Sequence, residues 1–98
     1  MDTRIPCEAI RQSMCLDIEY GGYSRTVEVH AVGLSKEGHT LLRVWQVSGG
    51  SVSGERAGWK LLRLDEATGY RLSDVKSEAP RSGYKQGDKA LVRIVAEI

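Results

Sequence analysis

Apolar and polar residues alternate with a period of two along most of this chain, the pattern of half-buried β-strands. From Cys15 to Tyr20, Leu16, Ile18 and Tyr20 share one face while Asp17 and Glu19 share the other. Gly21 and Gly22 then predict a tight hairpin, since glycine reaches positive φ without steric cost. The returning strand, Ser24 to Leu34, sets Val27, Val29 and Ala31 on the core face, with Arg25 in phase at its mouth. Thr26, Glu28, His30 and Val32 line its other face. After the turn "SKEGH", with Gly38 in the left-handed position, Thr40 to Val47 is apolar on both faces. A strand of that kind is central or capped by another element. Trp59 to Leu64 predicts a fourth strand, with Trp59, Leu61 and Arg63 in one phase, and Tyr70 to Ser73 a short fifth.

The two ends read differently. Pro6 fits the first position of a helix capped by Asp2 or Thr3, with Cys7, Ala9, Ile10 and Met14 gathered on one side. About two turns of helix cannot stand alone, so this one must be held by packing. Near the other end, "DVKSEAPRSGYKQGDK" is a long polar stretch with no period. Ala90 to Ile98 alternates again and reads as an edge strand, with a helix as the alternative. One short helix and five or six strands, with no helix between strands, predict a mainly β fold: a small antiparallel barrel in a single domain spanning 1–98.

Composition narrows the picture. In 98 residues, 41% hydrophobic and 28% charged, there is room for one globular core, and the absence of Phe leaves it mostly aliphatic. The net charge of +1 sets up no global field towards nucleic acid or acidic lipid. Residues 1–42 carry −2 and residues 43–98 carry +3, so an anionic partner would meet the later part. Cys7 and Cys15 read as reduced thiols, and no His lies beside them to complete a zinc site. No metal or cofactor is expected. No run approaches the ~18 apolar residues of a membrane span, and the N-terminal segment lacks the apolar stretch of an export signal. The expectation is a cytoplasmic protein without a membrane partner.

The chemistry-bearing residues cluster in the strand pair Thr40 to Asp65 and its Gly/Ser-rich loop. If the strands pair, Arg43 with Trp45 and Trp59 with Arg63 form a cationic, aromatic surface suited to bases and phosphates. The alternative keeps both Trp residues in the core and pairs the arginines with Glu28 and Asp65. His30, two residues after Glu28, reads as a carboxylate-oriented base or as a surface pair; with no nucleophile in context, no enzyme is expected. "SGGSVSGERAGWK" misses both the Walker and the G-x-S-x-G patterns. It reads as a flexible loop offering Arg56 and Lys60 to an anion. Arg81, Tyr84, Lys85 and Lys89 in "PRSGYKQGDK" form a further lead for a nucleic-acid or protein contact.

"AIRQSMCLDIEYGGYSRTVEVHAVGL", then "LLRVWQV" and "GWKLLRLDEATGYRLSD", resemble the WYL domain over roughly Ala9 to Asp74. Tyr20 matches the family's first-strand Tyr, and Arg63, Leu64 and Asp65 match its "RLD" element. The resemblance implies an Sm-like barrel and a regulatory, ligand-sensing role related to transcription. It implies binding of single-stranded nucleic acid or a nucleotide-like anion through basic and aromatic side chains. A protein-interaction module, a homodimer built on the edge strand above all, is the alternative from a different class.

Overall fold

The first four predicted strands pair antiparallel each with the next, forming a meander, while the fifth returns to pair with the first and the last with the second. In the computed structural model, which describes residues 2–55 and 57–98, helix α1 (Arg4–Gln12) precedes β1 (Met14–Tyr20), β2 (Tyr23–Leu34), β3 (Thr40–Gly49) and β4 (Gly58–Arg63). A short 3-10 turn (Leu64–Glu66), β5 (Gly69–Lys76) and β6 (Arg93–Glu97) complete the chain. The sheet runs in the order β4-β3-β2-β1-β5, and β6 pairs with β2. Mainly β with an N-terminal helix, the fold is as expected, but the barrel does not close. Among the described residues no ladder joins β4 to β5. The Tyr20 phenol reaches across, accepting the Arg63 N–H at 3.2 Å and donating to Glu66 Oε1 at 2.9 Å.

The helix starts two residues earlier than Pro6 suggested. Proline is tolerated there because the first-turn N–H groups have no intrahelical acceptor. Asp2 supplies the cap, its carboxylate accepting the Arg4 N–H at 2.9 Å, whereas the Thr3 side chain makes no such bond. Ser13 ends the helix in the left-handed conformation, φ 55°. β5 runs three residues further than predicted, because Met14 also pairs with Lys76. The last segment is a strand and not a helix. Its pairing shifts between Ile94 and Ala96, leaving Val95 unpaired and breaking the even phase of Val92, Ile94, Ala96 and Ile98.

The aliphatic core lies on one face of the sheet. Leu16, Ile18, Val27, Val29, Val32, Leu42, Val44, Leu62 and Leu64 pack there with Ala9 of α1. Sequence alternation places Val32 opposite Val27 and Val29, yet all three share this core. The reason is a bulge: Val29 pairs with Val44 and Ala31 with Arg43, so His30 is an extra residue that flips the phase. β2 is consequently buried on both faces from Val27 to Gly33. Its second face is covered by residues 77–92, an irregular segment termed here the strap. Leu91 of the strap packs with Ala31 and Leu41 in a small second cluster.

β6 can approach β2 only because residue 33 has no side chain. A Cβ on Gly33 would overlap the Arg93 carbonyl oxygen and press on Leu91. Gly33→Ala is expected to destabilise the protein by about 1–3 kcal/mol through overpacking, read as a lowered urea midpoint. A midpoint equal to wild type would show that β6 contributes little.

Candidate ligand-binding groove

The register of three strands builds the second face in rows. Glu28, Trp45 and Trp59 lie side by side across β2, β3 and β4; Ala31, Arg43 and Leu61 form the next row, and Gly33, Leu41 and Arg63 the third. The two Trp residues thus form a direct cross-strand pair, edge to face, with centroids 5.4 Å apart. Trp59 also takes the His30 ring at 4.7 Å, and Tyr84 of the strap lies nearly parallel to it at 6.3 Å. His30 and Tyr84 are 5.0 Å apart. Four aromatic rings from three strands and the strap therefore touch in sequence.

The strap is fixed by side chains that the sheet buries. Glu28 is 1% exposed; Arg81 Nε donates to its Oε1 at 2.6 Å, and the Glu78 N–H donates to its Oε2 at 2.6 Å. Burial pushes the Glu28 carboxyl up, but these donors outweigh it and hold the group below the usual range. His30, fully buried, lies 2.9 Å through Nδ1 from the Glu28 carbonyl, while Nε2 accepts the Arg81 N–H at 3.0 Å. Nε2 must be unprotonated to accept, so the proton of the neutral ring is assigned to Nδ1. Burial holds the His30 pKa below its ordinary value. The Tyr84 hydroxyl donates to the His30 carbonyl at 3.2 Å, and Arg43 Nε donates to Asp88 at 2.6 Å. Sequence spacing reads Glu28 and His30 as a surface pair or a catalytic dyad. Both are anchors under the strap instead.

Outside these anchors lies a groove of about 460 Å³, floored by Trp59 and Tyr84 and rimmed by Lys85 and Lys89. Both lysines are exposed, and no ion pair among the described residues engages them. Asp88, the one carboxylate among the described lining residues, is held by Arg43 and by the Ala90 N–H at 3.0 Å. A second groove, of about 560 Å³, opens beside the first hairpin. Its carboxylates Asp17 and Glu19 oppose an anion, and its exposed Arg71 already lies 3.7 Å from Asp17.

The predicted site residues divide accordingly. Arg43, Trp45, Trp59 and His30 come together at or beneath the first groove. The Trp45 face is already covered by the Arg81 guanidinium, 5.5 Å from the ring centroid. Arg63 lies two rows away and is engaged by Asp65 at 2.6 Å and Glu66 at 3.9 Å, with Tyr20 beside it. Lys60 turns towards the loop, donating to Ser51 at 3.2 Å and Ser53 at 3.3 Å. Arg56 lies outside the described residues. Among described residues no three potential ligands gather around a metal position, and both cysteines are free. Burial pushes the Cys15 thiol up to about 11, which keeps it protonated and unreactive. Among the described residues no helix is long and apolar enough to cross a membrane. Tyr84, Lys85 and Lys89 carried a legible signal, an aromatic among lysines, but nothing local tied them to Trp59. No family model, curated protein or solved structure matches this chain.

Removing the central anchor tests its weight. Glu28→Gln is expected to cost about 1–3 kcal/mol at pH 7, because Arg81 loses a charged acceptor. A folded-state pKa below the unfolded 4.5 means the contribution is full above pH 4.5 and lost on acidification through the folded value. The wild-type and variant urea midpoints should therefore converge below about pH 4.5. Parallel curves from pH 7 to 3 would contradict the buried ion pair.

Proposed function

We propose that this protein is a non-catalytic binding module whose first groove takes single-stranded nucleic acid or a nucleotide-like anion. The observation carrying the reading is the pairing of the Trp59 and Tyr84 rings with two ammonium groups that no ion pair among the described residues engages, where the lining carboxylate, Asp88, is held by Arg43. A base can stack on an aromatic face while its phosphate meets Lys85 or Lys89. The WYL resemblance of Ala9 to Asp74 supports the same class of ligand, in a sensing or regulatory role. The contacts are drawn from the strap and β4, with Arg43 setting the groove wall and Arg63 outside it.

Titration with short single-stranded DNA, RNA and mononucleotides, followed by Trp fluorescence, should give saturable quenching that weakens with salt. Stacking contributes about 1–3 kcal/mol per base, so Tyr84→Ala should raise Kd roughly 5- to 150-fold. Lys85→Ala or Lys89→Ala should flatten the salt dependence by roughly 0.7 per lost phosphate contact. Arg63→Ala serves as the control and should bind as wild type. A flat response to every ligand would end this reading.

A second reading, a homodimer, is favoured by β6, which among the described residues pairs with β2 alone and exposes Ile94 and Val95 at 36% and 46%, next to Val92 at the end of the strap at 67%. Antiparallel pairing of two copies about Val95 would set Arg93 of one against Glu97 of the other, a favourable cross-strand pair. Light scattering should then return twice the chain mass for wild type and a single mass for Val95→Lys. A monomer at tens of micromolar would remove this reading.

A further inference from the structure

His30 belongs to neither strand ladder nor groove surface, yet both of its ring nitrogens are spoken for. Nδ1 donates to the Glu28 carbonyl and Nε2 accepts the Arg81 N–H, the bond that brings the strap to the bulge of β2. A second proton can enter only at Nε2. It would displace that bond, set an N–H against an N–H, and place a cation beside the Arg81 guanidinium. The carboxylate close enough to compensate is that of Glu28, and its two oxygens are already taken by Arg81 and the Glu78 amide.

The other groups around the ring offer no relief. From the strap come the Tyr84 phenol, donating to the His30 carbonyl, and the Glu78 carboxylate, 3.8 Å from Arg81. From β4 comes the Trp59 ring. The Ile98 N–H donates to the same carbonyl at 2.9 Å, and Glu97 of β6 is turned to the Gly87 N–H. In the neighbouring row Arg43 and Asp88 satisfy each other.

We propose that protonation of His30 releases the strap from the sheet and dismantles the groove, making a single imidazole the acid-sensitive latch of this site. The sheet core lies on the opposite face and keeps its packing when the strap lifts. Neutral His30 therefore holds the groove assembled, and acid opens it. The low pKa that burial gives the ring fits this direction: the opened state takes up the proton more readily, so opening is favoured as pH falls below about 6.5. The consequence for ligand rests on the groove reading above; the release itself does not.

Amide exchange of the ligand-free full chain, corrected for intrinsic rates, tests the latch between pH 8 and 5. Protection of the Arg81 and Tyr84 amides should fall by up to about tenfold per pH unit below roughly 6.5. Protection across β1, β2 and β3 should hold. His30→Gln keeps an acceptor without a titrating group, so its strap protection should not vary with pH. NMR titration of the wild-type His30 ring supplies a second reading if that variant fails to fold. A ring that titrates at 6.5 or above overturns the proposal, as does strap protection that is flat with pH or is lost together with the sheet. No oligonucleotide enters these measurements, so a groove that binds nothing sinks the binding reading and leaves the latch standing.

Discussion

Glu28 is an ionised carboxylate with almost no access to water, and an ion in that position costs several kcal/mol unless it is fully partnered. Its own strand cannot partner it, because the β2 backbone is committed to β1, β3 and β6. The counter-charge comes from Arg81, 53 residues later in the chain, together with the Glu78 amide. That requirement brings the strap over the second face of the sheet. Once Arg81 is there, its own N–H meets His30, its guanidinium covers Trp45, and Tyr84 comes to lie against Trp59. The groove is a by-product of neutralising one buried charge.

The division of labour between the two faces follows from the bulge. Before His30, β2 directs Val27 and Val29 into the aliphatic core and Glu28 outwards; after it, Val32 returns to the core and Ala31 faces the strap. Were His30 an ordinary ladder position and not an extra residue, the phase would put Ala31 in the core and Val32 under polar cover. One inserted residue thus lets a twelve-residue strand serve a hydrophobic layer on one side and a polar, aromatic layer on the other.

The parts of this arrangement that repeat every second residue were legible in the sequence. Strands β1 to β4, the Gly21–Gly22 hairpin, the two-sided burial of β3 and the shared face of Arg43, Trp45 and Trp59 all follow from alternation. The bulge was not, since His30 has no residue type that marks it and the flip shows only in the pairing with β3. Nor was the Glu28–Arg81 pair, because a salt bridge across 53 residues leaves no local trace. Spacing grouped Arg63 with Trp59, correctly for the face, but two rows separate them and Asp65 lies nearer. Closure of the barrel failed for a related reason: among the described residues no ladder joins the edge strands β4 and β5, and the contact made to the end of β4 there is a tyrosine side chain.

The strap is tied down at Glu78, Arg81, Tyr84 and Asp88, while Ser82, Gly83, Lys85, Gln86 and Lys89 stand exposed between those ties. Anchoring and display are thereby assigned to different positions of one short segment. Its exposed residues can change in evolution, or be changed by a designer, with no cavity opened in the core and no strand register disturbed. A family built on this plan could keep its sheet and diversify what it recognises through five or six codons.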